Sequence, residues 1–381
     1  FSDAAIDARP HFLSLKIDAE STEVVPWDGK LNPKTIFIEK SISGRVWTKN
    51  FISRFPSADR IEVGSLKAGA DRFYDLGKAS RYNRRLENIF IIESKDSFIK
   101  ACPCTKKYRR CGYWILNLGS GCPIDCAYCY LQAYSNAPGI ILPANIENYF
   151  FRITEFDKKL SRRIRIGTGE FADSLAFDRY TNYSRELIPF FAGTKNLVLE
   201  LKTKMIDVSN VLKEKPHENV VISWSVNTES AARKYELGGA SIGERLAAAA
   251  CVVKAGYKIG FHFDPIIYYP GWEAEYKGIV EKIFSDNKLN RSIQWVSLGT
   301  LRYIPSLKQA AEQRFSDTRL YYSGDFLEDS DGKLRYPRKL RTDIYKKFVE
   351  WIRRLNKTAV VYLCMEPDDV WRSASLEPGE Y

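Results

Sequence analysis

Residues 121–132 read GCPIDCAYCYLQ and place Cys122, Cys126 and Cys129 in a C-x3-C-x2-C spacing. The stretch just before, YWILNLG at 113–119, is a short apolar run that ends in glycine, the pattern of a buried strand. Three thiolates this close can take three corners of one cluster. A structural zinc site normally takes four protein ligands, and a cubane iron–sulfur cluster usually takes four cysteines. A cubane held by three leaves one iron open to a small molecule, and the spacing favours that arrangement. Zinc with Cys104 or Cys111 as a fourth ligand is the competing reading. A disulfide explanation is weaker, because it leaves one of the three unpaired.

Downstream of this loop the chain alternates short apolar runs with amphipathic ones. RIRIGTG (163–169), NLVLELKT (196–203), NVVISWSV (219–226), YKIGFHFDP (257–265) and SIQWVSLGT (292–300) read as strands. The segments between them, at 145–160, 184–193, 205–214, 242–256 and 273–286, read as helices. With 113–119 this makes six strands in succession, which suits a parallel sheet, either an open partial barrel or a doubly wound sheet. In both, functional groups gather at the C-terminal ends of the strands. The cysteine loop follows the first strand, where such a site belongs. Upstream, TIFIEK (35–40), RIEVG (60–64) and NIFIIES (88–94) read as strands and 46–55 as a helix, with 67–85 a loop or irregular helix. Downstream come helices at 305–315 and 342–356 and a strand-like AVVYLCME at 359–366.

The chain has 381 residues, 45% hydrophobic and 28% charged, with a net charge of +11. This is the composition of a globular protein, and no apolar run approaches a membrane span. No charged-then-apolar signal pattern follows Phe1, so the expected location is cytoplasmic. Basic clusters recur at 81–85, 106–110, 162–165 and 335–341, three of them containing tyrosine. That mixture suits phosphate contact and base stacking and points to a nucleic-acid partner. Six of the eight cysteines fall between 102 and 129, which favours metal or redox chemistry over disulfides.

CPIDCAYCYLQ resembles the signature of radical S-adenosylmethionine enzymes, including the aromatic Tyr128 before the third cysteine. FIEKS, SRFPSA followed by IEV, CPCTKKYRRCGYWILN, LKTK, ISWSVN, KAGYKIGFHFDPI followed by GW, and LGTLRY extend the resemblance to the spore photoproduct lyase-like family over residues 36–345. The resemblance implies an α/β fold: a partial (β/α)6 TIM-type barrel at 112–301, an N-terminal α/β extension at 1–111 and a C-terminal extension at 302–381 packed on the barrel. It implies a 4Fe-4S cluster on Cys122, Cys126 and Cys129, with S-adenosyl-L-methionine chelated by the open iron. Lys204, Ser225 and Asn227 match cofactor-side positions, and Arg302 a substrate-side arginine able to fork onto a phosphate. The implied reaction is hydrogen abstraction by a 5′-deoxyadenosyl radical in repair of a thymine photolesion in DNA. A flavodoxin- or ferredoxin-type protein would supply the electron.

One departure stands out. The family carries a cysteine after the second barrel strand that returns hydrogen to the product radical. Here that stretch is GTGEFADS (167–174), with Glu170 in the cysteine's place and Asp173 retained. A carboxyl O–H cannot replace a thiol as hydrogen donor. GTGE instead resembles a Gly-Gly-Glu element whose carboxylate accepts from the cofactor ammonium, so Glu170, with Asp173, is expected on the cofactor side. Tyr128 and Tyr130, beside Cys129, and Cys364 are the candidate hydrogen donors. Cys102, Cys104 and Cys111 are read as structural or thiol residues rather than a second cluster, and Cys251 as core. His262 suits either chemistry or a buried hydrogen bond. The alternatives are a radical enzyme of the same architecture acting on another modified base or a peptide, and a zinc-stabilised nucleic-acid-binding protein.

Overall fold

The structure, a computed structural model, describes residues 28–73, 82–95, 98–105, 108–135, 138–315 and 319–379. Part of the expected 67–85 loop or irregular helix, and parts of the basic clusters at 81–85 and 106–110, lie outside the described residues.

The strands run in chain order β1 (Thr35–Glu39), β2 (Asp59–Val63), β3 (Asn88–Ile92), β4 (Ile99–Ala101), β5 (Trp114–Leu116), β6 (Ile140–Pro143), β7 (Ile164–Gly167), β8 (Leu197–Thr203), β9 (Val220–Ser225), β10 (Lys258–Ile266), β11 (Ile293–Thr300), β12 (Arg302–Tyr303), β13 (Leu327–Glu328), β14 (Leu334–Arg335) and β15 (Val361–Leu363). The main sheet has the order β15-β11-β10-β9-β8-β7-β5-β4. All its pairings are parallel except β4 against β5. The six strands read from the sequence, β5 and β7 to β11, are therefore neighbours in sequence order, as in an open barrel. They appear in the sequence as near-continuous apolar runs because both faces of a parallel sheet are covered.

The helices on the outside are held by local chemistry. Ser241 and Glu244 form a reciprocal capping box at the start of helix Ile242–Lys254. Thr228 caps helix Glu229–Tyr235 through the Ala231 N–H. Helix Arg338–Leu355 lays Phe348 against Tyr276 of helix Trp272–Ser285 and against Phe263 of β10.

The C-terminal strand joins the barrel sheet. β15 pairs in parallel with β11, Val296 opposite Val361 and Leu298 opposite Leu363, which brings Cys364 to the same rim as the other strand ends. Residues 302–335 also form a small sheet, β12-β14-β13, that the sequence reading missed.

Three further expectations are corrected. β6 lies within 112–301 yet pairs with β3 in the N-terminal sheet β2-β1-β3-β6, so the chain crosses between the two sheets. Gly139 makes this crossing possible, because a Cβ there would sit 2.2 Å from the Asn88 carbonyl oxygen. Residues 205–214 hold only the short turn Val211–Lys213; Asp207 takes the Ser209 N–H and competes with helix formation. Cys251 is exposed rather than core, because the buried face of its helix runs through Ile242, Arg245, Leu246, Ala248, Ala249 and Val252.

Candidate active site

The C-terminal ends of the barrel strands surround one cavity of about 580 Å³. Cys122, Cys126 and Cys129 line it together with Tyr128, Tyr130, Glu170, Asp173, Lys204, Ser225, Arg302 and Cys364.

The cysteine loop is fastened from every side. Gly121 enters it with φ +106°, where a Cβ would meet the Ile140 side chain at 2.6 Å. Asp125 is also left-handed, at φ 57°. Its carboxylate is clamped by Arg85 Nη2 at 3.0 Å and Arg314 Nη2 at 2.6 Å, and all three residues are at most 5% exposed. Arg85 Nε donates to the Cys122 carbonyl at 2.7 Å, and Gln132 Nε2 to the Cys126 carbonyl at 2.8 Å. Tyr321 donates to the Ala127 carbonyl at 2.7 Å. The Ala127 N–H donates to the Tyr235 carbonyl at 2.8 Å. The backbone is thus fixed before any ligand arrives.

All eight cysteines are free thiols. Burial pushes the Cys122 thiol up to about 12 and raises Cys126 and Cys129 as well. Lys204 pulls against that rise at Cys126 and Cys129. Buried thiolates need cationic partners, and a cluster of iron ions supplies them. The fourth ligands a zinc site would need are engaged elsewhere. Cys111 Sγ lies 3.8 Å from Arg165 Nη2, and Cys104 Sγ 3.8 Å from Cys102 Sγ. The donor set fits a cubane held at three corners.

A sequence profile described as "Spore photoproduct lyase" matches residues 106–359. This chain belongs to the spore photoproduct lyase family. It is 22% identical over 341 residues to spore photoproduct lyase of Clostridium acetobutylicum, covering 87% of this chain and 98% of that one. It is 29% identical over 216 residues to the Geobacillus sp. enzyme, covering 54% of this chain and 62% of that one. Its fold matches a solved spore photoproduct lyase complexed with dinucleoside spore photoproduct, with TM-score 0.75, 22% identity, and coverage of 88% and 99% of the two chains. A solved double mutant with bound AdoMet and dinucleoside spore photoproduct matches with TM-score 0.75, 21% identity, and coverage of 88% and 100%.

Several of the residues expected at the site are engaged by the protein itself. Glu170 faces the cavity, but its Oε1 is paired with Lys202 Nζ at 2.8 Å. Although burial works against its charge, Glu170 and then Glu200 hold Lys202 above the usual lysine range. Gly169 lets the strands close on this pair, since a Cβ there would lie 2.9 Å from Lys202 Cβ. Asp173 is occupied by the protein. Its Oδ1 accepts from the Leu175 and Ala176 N–H groups and the Thr203 hydroxyl, and its Oδ2 from the Lys204 N–H. It positions the loop after β7 against the end of β8 rather than offering a free carboxylate.

Asn227 does not line the cavity. It is 1% exposed, donates to the Pro265 carbonyl and accepts from Tyr276 and the Thr228 N–H. Ser225, two residues earlier, does line it. Arg302 is not free to fork onto a phosphate. It forms a two-pronged pair with Asp264, at 3.0 and 3.1 Å, and touches Cys364 Sγ at 3.3 Å. Tyr128 spends its hydroxyl on the buried Glu236, which Arg245 Nη2 pairs at 2.5 Å. Tyr130 donates to the Glu170 carbonyl at 2.5 Å.

Lys202, Asp264 and Cys102 are cavity residues that the sequence reading did not assign. Lys202 was within reach: it lies near the end of β8, two residues before Lys204 just past the strand, and an extended chain puts such residues on one side. His262 lines the cavity and is also buried against Glu200, with Nε2 2.7 Å from Glu200 Oε1.

Proposed function

We propose that this chain is a radical S-adenosylmethionine enzyme that reverses the thymine photolesion known as spore photoproduct in DNA. The observation that carries the reading is three thiols, Cys126 buried and Cys122 and Cys129 half-buried, on a rigidly held loop at the C-terminal end of the first barrel strand, lining one cavity. Membership of the family supplies the substrate class, and the net charge of +11 suits a polyanion.

Cys122, Cys126 and Cys129 hold the cluster. When bound, the cluster and S-adenosylmethionine supply, on one-electron reduction, a 5′-deoxyadenosyl radical that abstracts hydrogen from an unactivated carbon. The chain's own residues orient and insulate that chemistry. Lys204 places a positive charge beside Cys126 and Cys129. Glu170, Ser225, the Arg302–Asp264 pair and Cys364 all line the cavity, where Glu170 and Ser225 would meet the cofactor. The apolar lining around Ile115, Leu131 and Leu301 keeps water from a reactive radical. An external flavodoxin- or ferredoxin-type donor and a cytoplasmic setting complete the reading. Among the described residues no helix is long and apolar enough to cross a membrane.

The test is anaerobic reconstitution followed by incubation with S-adenosylmethionine, a reductant and dinucleoside spore photoproduct. Thymine dinucleoside in the product mixture supports the reading. Cofactor cleavage without lesion conversion favours a second reading, the same machinery acting on another substrate. The Glu170–Lys202 pair, standing where relatives carry a thiol, motivates that second reading.

A further inference from the structure

β4 leads into a tight turn whose geometry presents two sulfurs together. The Cys102 N–H donates to the Tyr113 carbonyl at 3.0 Å, and the Cys104 N–H returns to the Cys102 carbonyl at 2.8 Å across Pro103. This three-residue turn suits the fixed φ of proline. The next residue, Thr105, is tied by its hydroxyl to Asp331 of the C-terminal extension at 2.6 Å. The two sulfurs lie 3.8 Å apart, and Cys102 and Pro103 are on the cavity wall. Cys102 feels the charges of Glu170 and Cys364, and Cys104 those of Arg302, Arg110 and Glu170, which puts the pair at the rim where the strand ends meet.

The other candidate hydrogen donors are committed. The Tyr128 and Tyr130 hydroxyls are spent on Glu236 and the Glu170 carbonyl. The Cys364 thiol is held between Arg302 and Asp264.

We propose that the Cys102–Cys104 thiol pair supplies the hydrogen atom that closes the lesion-derived carbon radical, a role that rests on the photolesion-repair reading. One S–H bond breaks, one C–H bond forms on the thymine-derived carbon, and the unpaired electron passes to sulfur. The thiyl radical recovers its hydrogen from the methyl group of the 5′-deoxyadenosine made earlier in the same turnover: that C–H breaks as the S–H re-forms, and the unpaired electron returns to the 5′ carbon that carried it before the lesion was attacked. No external oxidant or reductant is consumed by these two steps. Pairing also protects the donor. The Cys102 contact, Arg302 and Arg110 pull Cys104 down to about 7, while the same contact and burial hold Cys102 protonated. One S–H therefore remains even when the other sulfur has ionised.

Two measurements test this. In deuterated buffer the thiols exchange, so the cluster-loaded wild-type chain should place one solvent deuterium in the repaired dinucleoside. The Cys102→Ser/Cys104→Ser double variant should lose that product severalfold in favour of uncoupled adducts while 5′-deoxyadenosine still forms. Deuterated product at wild-type yield from the double variant overturns the proposal, as does its loss from Cys364→Ala alone. Failure of the wild-type chain to convert the lesion overturns the repair reading and this proposal with it. Independently of turnover, dinucleoside spore photoproduct should slow alkylation of the tryptic peptide ACPCTK (101–106) severalfold in the loaded, unreduced chain. Unchanged alkylation means the pair does not face the lesion, and the proposal falls.

Discussion

Arg302 and Asp264 meet as a fork on a fork, Nη1 to Oδ1 at 3.0 Å and Nη2 to Oδ2 at 3.1 Å, at the rim of the cavity. Arg302 holds the Asp264 carboxyl below the usual carboxylate range, against the burial that would raise it. Because Asp264 titrates lower in the folded chain than in the unfolded one, the pair stabilises the fold above the unfolded pKa of about 3.9. That contribution is lost as pH falls through the folded value. Arg302→Leu should therefore destabilise the chain at pH 7 by roughly 2–3 kcal/mol, less than the roughly 3–5 kcal/mol of a fully buried pair because these side chains keep 17% and 22% exposure. The deficit should shrink below about pH 4 as Asp264 protonates. Chemical denaturation across pH checks this; a deficit that does not change with pH would mean the pair adds packing and not charge.

Asp125 is the hub of the cysteine loop, between two arginines that are almost wholly buried. Asp125→Asn keeps a side chain that tolerates the left-handed backbone but leaves two guanidiniums without their counter-charge. The expected cost is about 3–5 kcal/mol, with reduced iron loading, because the Cys122 and Cys126 carbonyls hang from the same arginine and glutamine network. Denaturation midpoint and iron content, measured on one preparation, decide it. Full stability with full iron would show that the loop is held by its backbone bonds alone.

Cys122→Ala, Cys126→Ala and Cys129→Ala should each fold yet lose iron and 5′-deoxyadenosine formation, since each removes one of three anchors. Visible charge-transfer absorbance and iron content read this directly. Normal iron in any one of them would show that the cluster is anchored elsewhere.

The sequence was most legible where burial is most uniform. β8 to β11 are covered on both faces and read as largely apolar runs, so their existence and the cysteine loop's place after a strand followed from pattern, while their barrel order came only with the family resemblance. β6 did not, because four apolar residues in a crossing segment carry no period. Side-chain partners were least legible. Arg302 and Asp264 are 38 residues apart and meet only once β10 and β11 pair. The same holds for Asn227, a polar residue at a strand end whose partners Pro265 and Tyr276 come from the next strand and helix. Cys102 and Cys104 were visible as residues, but the turn at Pro103 that joins their sulfurs was not.

Glu170 faces a choice of partners. Its Oε1 is 2.8 Å from Lys202 Nζ, while its place in the GTGE element suits an ammonium group of the cofactor. As the acceptor of one charge-assisted hydrogen bond it would contribute about 1.5–3 kcal/mol, or roughly ten- to a hundredfold in affinity. Glu170→Gln should then weaken S-adenosylmethionine binding by that factor and leave iron content intact, because the Glu170 carboxylate is bonded to Lys202 and not to the cysteine loop. Lys202→Met removes the competing cation and should bind the cofactor at least as tightly as the wild-type chain. The two variants together separate the roles. Weaker binding in Glu170→Gln with retained binding in Lys202→Met assigns the carboxylate to the cofactor. Unchanged affinity in Glu170→Gln, measured by equilibrium binding to the cluster-loaded chain, would leave Glu170 as the counter-ion of Lys202 and nothing more.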